Sequence, residues 1–100
     1  MNYYELESKV LEWADEKGLL APENYPKQFM KLDEEKGELS GSILKGKREK
    51  EKDGFGDVMV TLIILATQRG LNLTECLELA YNEIADRKGT MIDGSFVKDE

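Results

Sequence analysis

Apolar residues recur at intervals of three and four along most of this chain, and that period predicts helices. Tyr3, Leu6, Val10 and Trp13 set the first, over about residues 2–17, with Gly18 placed to end it. Ala21 to Pro26 reads as a loop, and Pro26 suits the first turn of a second helix carrying Phe29, Leu32, Leu39 and Ile43. The pattern fades after Ser40-Gly41-Ser42. The run KGKREKEK, Lys45 to Lys52, is either a connection or the solvated start of a third helix.

VMVTLIILA, from Val58, has the branched residues of a buried strand. Its apolar spacing persists to Gln68, however, and no neighbouring strand pattern exists to pair with it, so it reads as a helix ending at Gly70. Asn72 with Glu75 three residues on is a capping-box start for a fourth helix, which carries Leu73, Leu77, Ala80, Tyr81 and Ile84 and stops at Gly89. The tail TMIDGSFVK alternates around Asp93-Gly94, as a short hairpin does. The expected fold is a single all-α domain over residues 1–100: a four-helix bundle-like core with a short C-terminal tail or hairpin.

Composition narrows the function. The 100 residues are 40% apolar and 35% charged with 2 prolines, a soluble, helix-leaning balance with no segment long enough to span a bilayer. A net charge of -7 argues against nucleic acid as partner, because phosphate neutralisation supplies most of that affinity. The single Cys76 excludes an internal disulfide, and MNYYELESK lacks a cleavable apolar leader, so the cytoplasm is the expected compartment. With no histidine, the chain alone builds neither a Ser-His-Asp triad nor a histidine-bearing zinc site.

Two motif matches are decoys. GSILKGKR fits the opening of a phosphate-binding P-loop but ends in Arg48 where Ser or Thr should hold magnesium, and no strand precedes it. Asp33 to Leu44 lacks the alternating aspartates of a calcium loop.

The acids are more informative. At about 100° per residue, Glu35 falls about 40° from Leu39, Glu38 about 100° and Glu34 about 140°, so Glu35 and Glu38 share an edge of the core stripe. Asp53 and Asp57, four apart, share a face that continues through Thr61 to Ile64 and is expected to point inward. Helices packed about 8 to 10 Å apart bring such pairs within reach of one another. Unneutralised, they repel, and desolvation costs several kcal/mol per carboxylate. A divalent ion reverses that balance, and carboxylate-only donors suit magnesium or manganese. The plainer alternative is that Glu34, Glu35 and Glu38 form a solvated face and Asp53 caps the third helix. Asn82, Arg87 and Lys88, at the end of the fourth helix, either complement its dipole or contact phosphate.

On the segments KQFMKLDEEKGEL, DGFGDVMVTLIILATQRGL and ECLELAYNEIADRKGTMIDGSFVK, the chain from about Lys27 onward resembles the MazG-like all-α nucleoside triphosphate pyrophosphohydrolases, in particular the short single-domain type of phages and bacteria. That family places ExxE on one helix and ExxD on the next to hold magnesium. Glu35 and Glu38 match ExxE and Asp57 matches the Asp of ExxD, whereas Gly54 stands where the second Glu belongs, with Asp53 the nearest acid. The resemblance implies hydrolysis of a nucleoside triphosphate to monophosphate and pyrophosphate, with magnesium (or manganese) on Glu35, Glu38, Asp57 and Asp53. It implies that Glu34 orients water, with Glu35 sharing the catalytic role, and that Lys31, Asn82, Arg87 and Lys88 contact phosphate or sugar. Trp13 and Phe29, at helical spacing, read as core rather than as stacking platforms. A chain this short is expected to complete its core as a homodimer or homotetramer. Two competing readings retain the fold without the chemistry: a helical interaction module, and a nucleotide-sensing subunit.

Overall fold

In the computed structural model, which describes Met1–Glu100, four α-helices and a terminal hairpin follow one another. They are α1 (Tyr3–Glu16), α2 (Tyr25–Leu44), α3 (Arg48–Gln68), α4 (Leu73–Ile84), β1 (Gly89–Ile92) and β2 (Ser95–Lys98), with a single 3-10 turn at Pro22–Asn24 before α2. No helix is long and apolar enough to cross a membrane.

Local chemistry sets the ends. Asn2 Oδ1 accepts from the Glu5 amide at 2.8 Å, and Asn72 Oδ1 accepts from the Glu75 amide at 3.0 Å, each satisfying an otherwise orphaned donor at a helix start. At the end of α2, Gly46 adopts φ 66°, which lets the Lys47 amide fold back onto the Ser42 carbonyl. The chain therefore reverses in a tight turn, and the run KGKREKEK divides: Lys45, Gly46 and Lys47 form the connection, and Arg48 to Lys52 is the start of α3. Lys47 holds the N-cap position of α3 and Asp53 lies well inside the helix, which removes the capping explanation for that acid. Helix α2 runs on past Ser40-Gly41-Ser42 to Leu44, because no residue there needs a non-helical backbone. Helix α4 stops at Ile84, five residues short of Gly89, leaving Arg87 and Lys88 beyond its end.

The α2–α3 hairpin is the spine, and α3 touches all three other helices. Its buried residues are Gly54, Thr61, Ile63, Ile64 and Gln68. Gly54 marks a close approach: a Cβ there would lie 3.0 Å from Leu39 Cδ1 and 3.3 Å from Leu39 Cα, so Leu39 would have to shift slightly to admit one. Helix α1 is fastened to the start of α4 by buried Glu7, which accepts from Asn72 Nδ2 at 3.2 Å and from Thr74 Oγ1. Burial together with the Glu7 charge pushes the neighbouring Tyr3 phenol above its usual pKa. The terminal hairpin pairs Ile92 with Ser95 around Asp93 and Gly94, whose φ values of 50° and 82° are those of a two-residue primed turn.

The expected core departs from what forms. Trp13 and Phe29 are 48% and 55% exposed, so neither is core. Ile43, Leu77, Tyr81 and Ile84 are exposed as well. The helical period selected the right elements, but the single chain does not cover every apolar stripe it creates.

Candidate active site

Between α2 and α3 runs an open groove of about 600 Å³. Residues 34, 37, 38, 41 and 45 line one wall, at the three- and four-residue spacing of a single helix face, and residues 47, 50, 54 and 57 line the other. The walls thus present Glu34 and Glu38 opposite Asp53 and Asp57, with Lys45, Lys47 and Lys50 at the end where the hairpin turns. No apolar side chain lines it. Gly37, Gly41 and Gly54 leave the room: small residues on both walls keep the groove open where larger side chains would fill it.

Four ion pairs form, each within one helix: Lys31 with Glu35 at 3.4 Å, Lys36 with Asp33 at 3.2 Å, Lys52 with Glu49 at 3.4 Å, and Arg48 with Glu51. None of the four groove acids and none of the three groove lysines takes part in an ion pair. Glu34 with Glu38, and Asp53 with Asp57, are like-charged pairs four residues apart, each of which weakens a helix by about 0.2–0.5 kcal/mol. The arrangement costs stability unless a cation enters.

Of the acids expected in a metal set, Glu38, Asp53 and Asp57 line this groove and Glu35 does not. Glu35 is buried at its edge and takes Lys31 Nζ at 3.4 Å. Glu34, expected beside the metal set, faces the groove squarely with Glu38 one turn on. Asp53 and Asp57 face across the seam as their spacing required, yet they are exposed in an open cleft rather than turned into a core. Asn82, Arg87 and Lys88 are exposed and lie outside the groove. The basic residues that do reach it, Lys45, Lys47 and Lys50, were hidden in a run that reads as solvated. Their signal was register: Lys45 follows Glu38 by seven residues, and Lys50 precedes Asp57 by seven, which puts each on its helix's acid face.

The donor chemistry, all carboxylate oxygen, fits a hard divalent ion such as magnesium. No three of these acids stand close enough together to enclose one with the side chains as they are. Gly54 leaves the second wall one carboxylate short of ExxD, and its contact with Leu39 leaves no space for a longer side chain without a shift of α2.

No protein-family model matches the chain, and no solved structure matches it. It is similar to an uncharacterized 18.2 kDa protein in the rep-hol intergenic region of Haemophilus phage HP1 (strain HP1c1), 37% identical over 68 residues. The match takes in 68% of this chain and 42% of the phage protein, so the chain spans less than half the length of that relative.

Proposed function

We propose that this chain is a magnesium-dependent nucleoside triphosphate pyrophosphohydrolase of the MazG-like kind, converting a ribo- or deoxynucleoside triphosphate to its monophosphate and pyrophosphate. The observation that carries the proposal is the groove: four unpaired carboxylates facing one another across two helices, with three unpaired lysines at one end. A chain of net charge -7 attracts a polyphosphate poorly by itself, and it does so best where a divalent ion and local cations act together.

Glu38, Asp53 and Asp57 hold the ion, and Glu34 orients and takes a proton from the attacking water. Magnesium (or manganese) there supplies neutralisation of phosphate charge and a more acidic water. Water oxygen bonds to the α-phosphorus, the bond to the bridging oxygen breaks, and pyrophosphate leaves. Lys45, Lys47 and Lys50 steady the departing phosphates as point charges. Glu35 joins the ion only by letting go of Lys31, so it is the least necessary member of the ExxE pair. Asn82, Arg87 and Lys88 contact substrate only if a second copy brings them to the groove.

Self-association belongs to the same proposal. The accessible surface is 7841 Å², against about 5,800 Å² for a compact monomer of this mass, and the Cα radius of gyration is 16.2 Å against about 13 Å. That surplus of about 2,000 Å² is the scale of an obligate interface, supporting a homodimer or homotetramer.

The test is a panel of ribo- and deoxynucleoside triphosphates with magnesium, with pyrophosphate as readout. Glu38→Ala is expected to lose at least about a hundredfold in turnover with helicity retained, as removal of a group acting on transition-state charge does. A second reading, a non-catalytic module that kept the fold, is favoured by Gly54 and by the open spacing of the acids. It stands if no nucleotide yields pyrophosphate and magnesium does not raise the melting temperature.

A further inference from the structure

The walls of the α2–α3 groove hold four carboxylates, three lysines, three glycines and Ser42, and nothing else. None of these side chains offers what a nucleobase is recognised by. A base stacks on a flat aromatic or guanidinium face, and its edge is read by donors and acceptors held in fixed positions. The carboxylates only accept, and under the proposed function they are committed to the ion and the attacking water. The lysines only donate, each as a point charge on a flexible stem rather than a rigid fork. Ser42 has both capacities, but its Oγ already donates to the Glu38 carbonyl at 3.0 Å. Exposed aromatic rings exist, Trp13, Phe29, Phe55 and Tyr81 among them, and none stands on either wall.

The groove also has a direction. Along α2 its lining runs from Glu34 to Lys45 and along α3 from Asp57 back to Lys47, so the acids hold the end remote from the turn and the lysines the end beside it. Lys50 precedes Asp53 by three residues, about 4.5 Å of helix, which sets the first lysine next to the acids. With the departing phosphates on the lysines, whatever the α-phosphorus carries leaves past Glu34 and Asp57, where neither wall continues. We infer that the groove recognises the triphosphate chain and not the group attached to it, and that inorganic tripolyphosphate is therefore a second substrate. The step is the one proposed for nucleotides with a bare oxygen in place of the nucleoside. Water oxygen bonds to a terminal phosphorus, and that phosphorus parts from its bridging oxygen, which keeps the electron pair. One water proton passes to Glu34 and the other stays on the new orthophosphate, while pyrophosphate leaves. The inference rests on the reading of the groove as a triphosphate site.

Turnover with magnesium and binding without turnover test it together. The common ribo- and deoxynucleoside triphosphates are expected to share kcat/KM within about tenfold, because strong discrimination requires hydrogen bonds to the distinguishing group. Tripolyphosphate is expected to yield orthophosphate and pyrophosphate within the same range, and Glu38→Ala to lose both activities together. Calorimetry on Glu34→Gln, in which turnover is blocked, should give nucleotides and tripolyphosphate dissociation constants within about tenfold of one another. Adding Lys45→Ala, Lys47→Ala and Lys50→Ala should weaken both ligands by the same factor. Preference for one base beyond about tenfold, nucleotide turnover without tripolyphosphate turnover, or tripolyphosphate activity that survives Glu38→Ala overturns the inference and leaves the triphosphate reading standing. If the wild type turns over none of these compounds, the triphosphate reading fails and takes the inference with it.

Discussion

The α2–α3 seam and the α4–hairpin end of the molecule treat charge and hydrophobicity in opposite ways. Along the seam, polar groups are drawn inward: Glu35, Thr61 and Gln68 are buried, and acids line a groove without partners. At the far end, α4 carries Leu77, Tyr81 and Ile84 on one face, yet none of its residues is buried, and Met91, Ile92, Phe96 and Val97 of the hairpin are half exposed. A lone domain gains by doing the reverse, since burying a large apolar side chain is worth about 1.5–3 kcal/mol and burying an unpaired charge is unfavourable. The difference teaches that the two regions call for different explanations: under the proposed function the seam is shaped by a ligand and the far end by a second copy of the chain.

The largest effect expected from disturbing this contrast is at the exposed end. Leu77→Asp together with Tyr81→Asp should convert a self-associated species to monomer in sedimentation equilibrium, and should abolish the rise of melting temperature with protein concentration that mass action gives an oligomer. Monomeric wild type with a concentration-independent melting temperature would remove the surface explanation. Next in size, replacing Lys45, Lys47 and Lys50 together by Ala should raise KM for the nucleotide about tenfold or more with little change in helicity, and flatten its salt dependence. An unaltered KM would take the lysines out of the site.

A smaller pair of substitutions sharpens the comparison within α3 itself. Gly56 meets nothing within 4 Å, so Gly56→Ala should stabilise by about 0.5–1 kcal/mol through helix propensity. Gly54→Ala sets the same gain against a Cβ pressed on Leu39, and the net should be a loss of about 1 kcal/mol in chemical denaturation. Equal gains at both would mean that the helices are not in close contact at Gly54. The smallest effect concerns the α1 clasp. Tyr3 ionises above its ordinary value of 10.0 in the folded chain, so the folded state holds the phenolic proton longer than the unfolded chain does. Its contribution is complete below about pH 10 and is lost as pH rises through the folded value, so Tyr3→Phe should blunt the alkaline decline in stability.

The elements were legible because period and capping are local. Asn72 with Glu75, and Asp93-Gly94 in the tail, each carry their own geometry in a few residues. The start of α3 was not, since its first turn is charged on all sides and only the turn at Gly46 decides where the helix begins. The site was half legible. Spacing put Asp53 and Asp57 on one face, but Glu34 and Glu35 were both expected at the site, and only the way the two helices meet decides that Glu34 lines the groove and Glu35 does not. The burial of Gln68 was invisible, because Gln68 and Leu19 are brought together by tertiary packing across 49 residues. The exposed apolar face of α4 read as core for a similar reason: the period tells which residues seek cover, but not whether this chain provides it.

The groove's capacity to bind a hard cation is tested most directly by titrating magnesium alone into the wild type and into Glu38→Ala, Asp57→Asn and Glu35→Gln by calorimetry. The account predicts saturable binding to the wild type, loss of it in Glu38→Ala and Asp57→Asn, and retention in Glu35→Gln. No heat with the wild type, or loss only in Glu35→Gln, would contradict it.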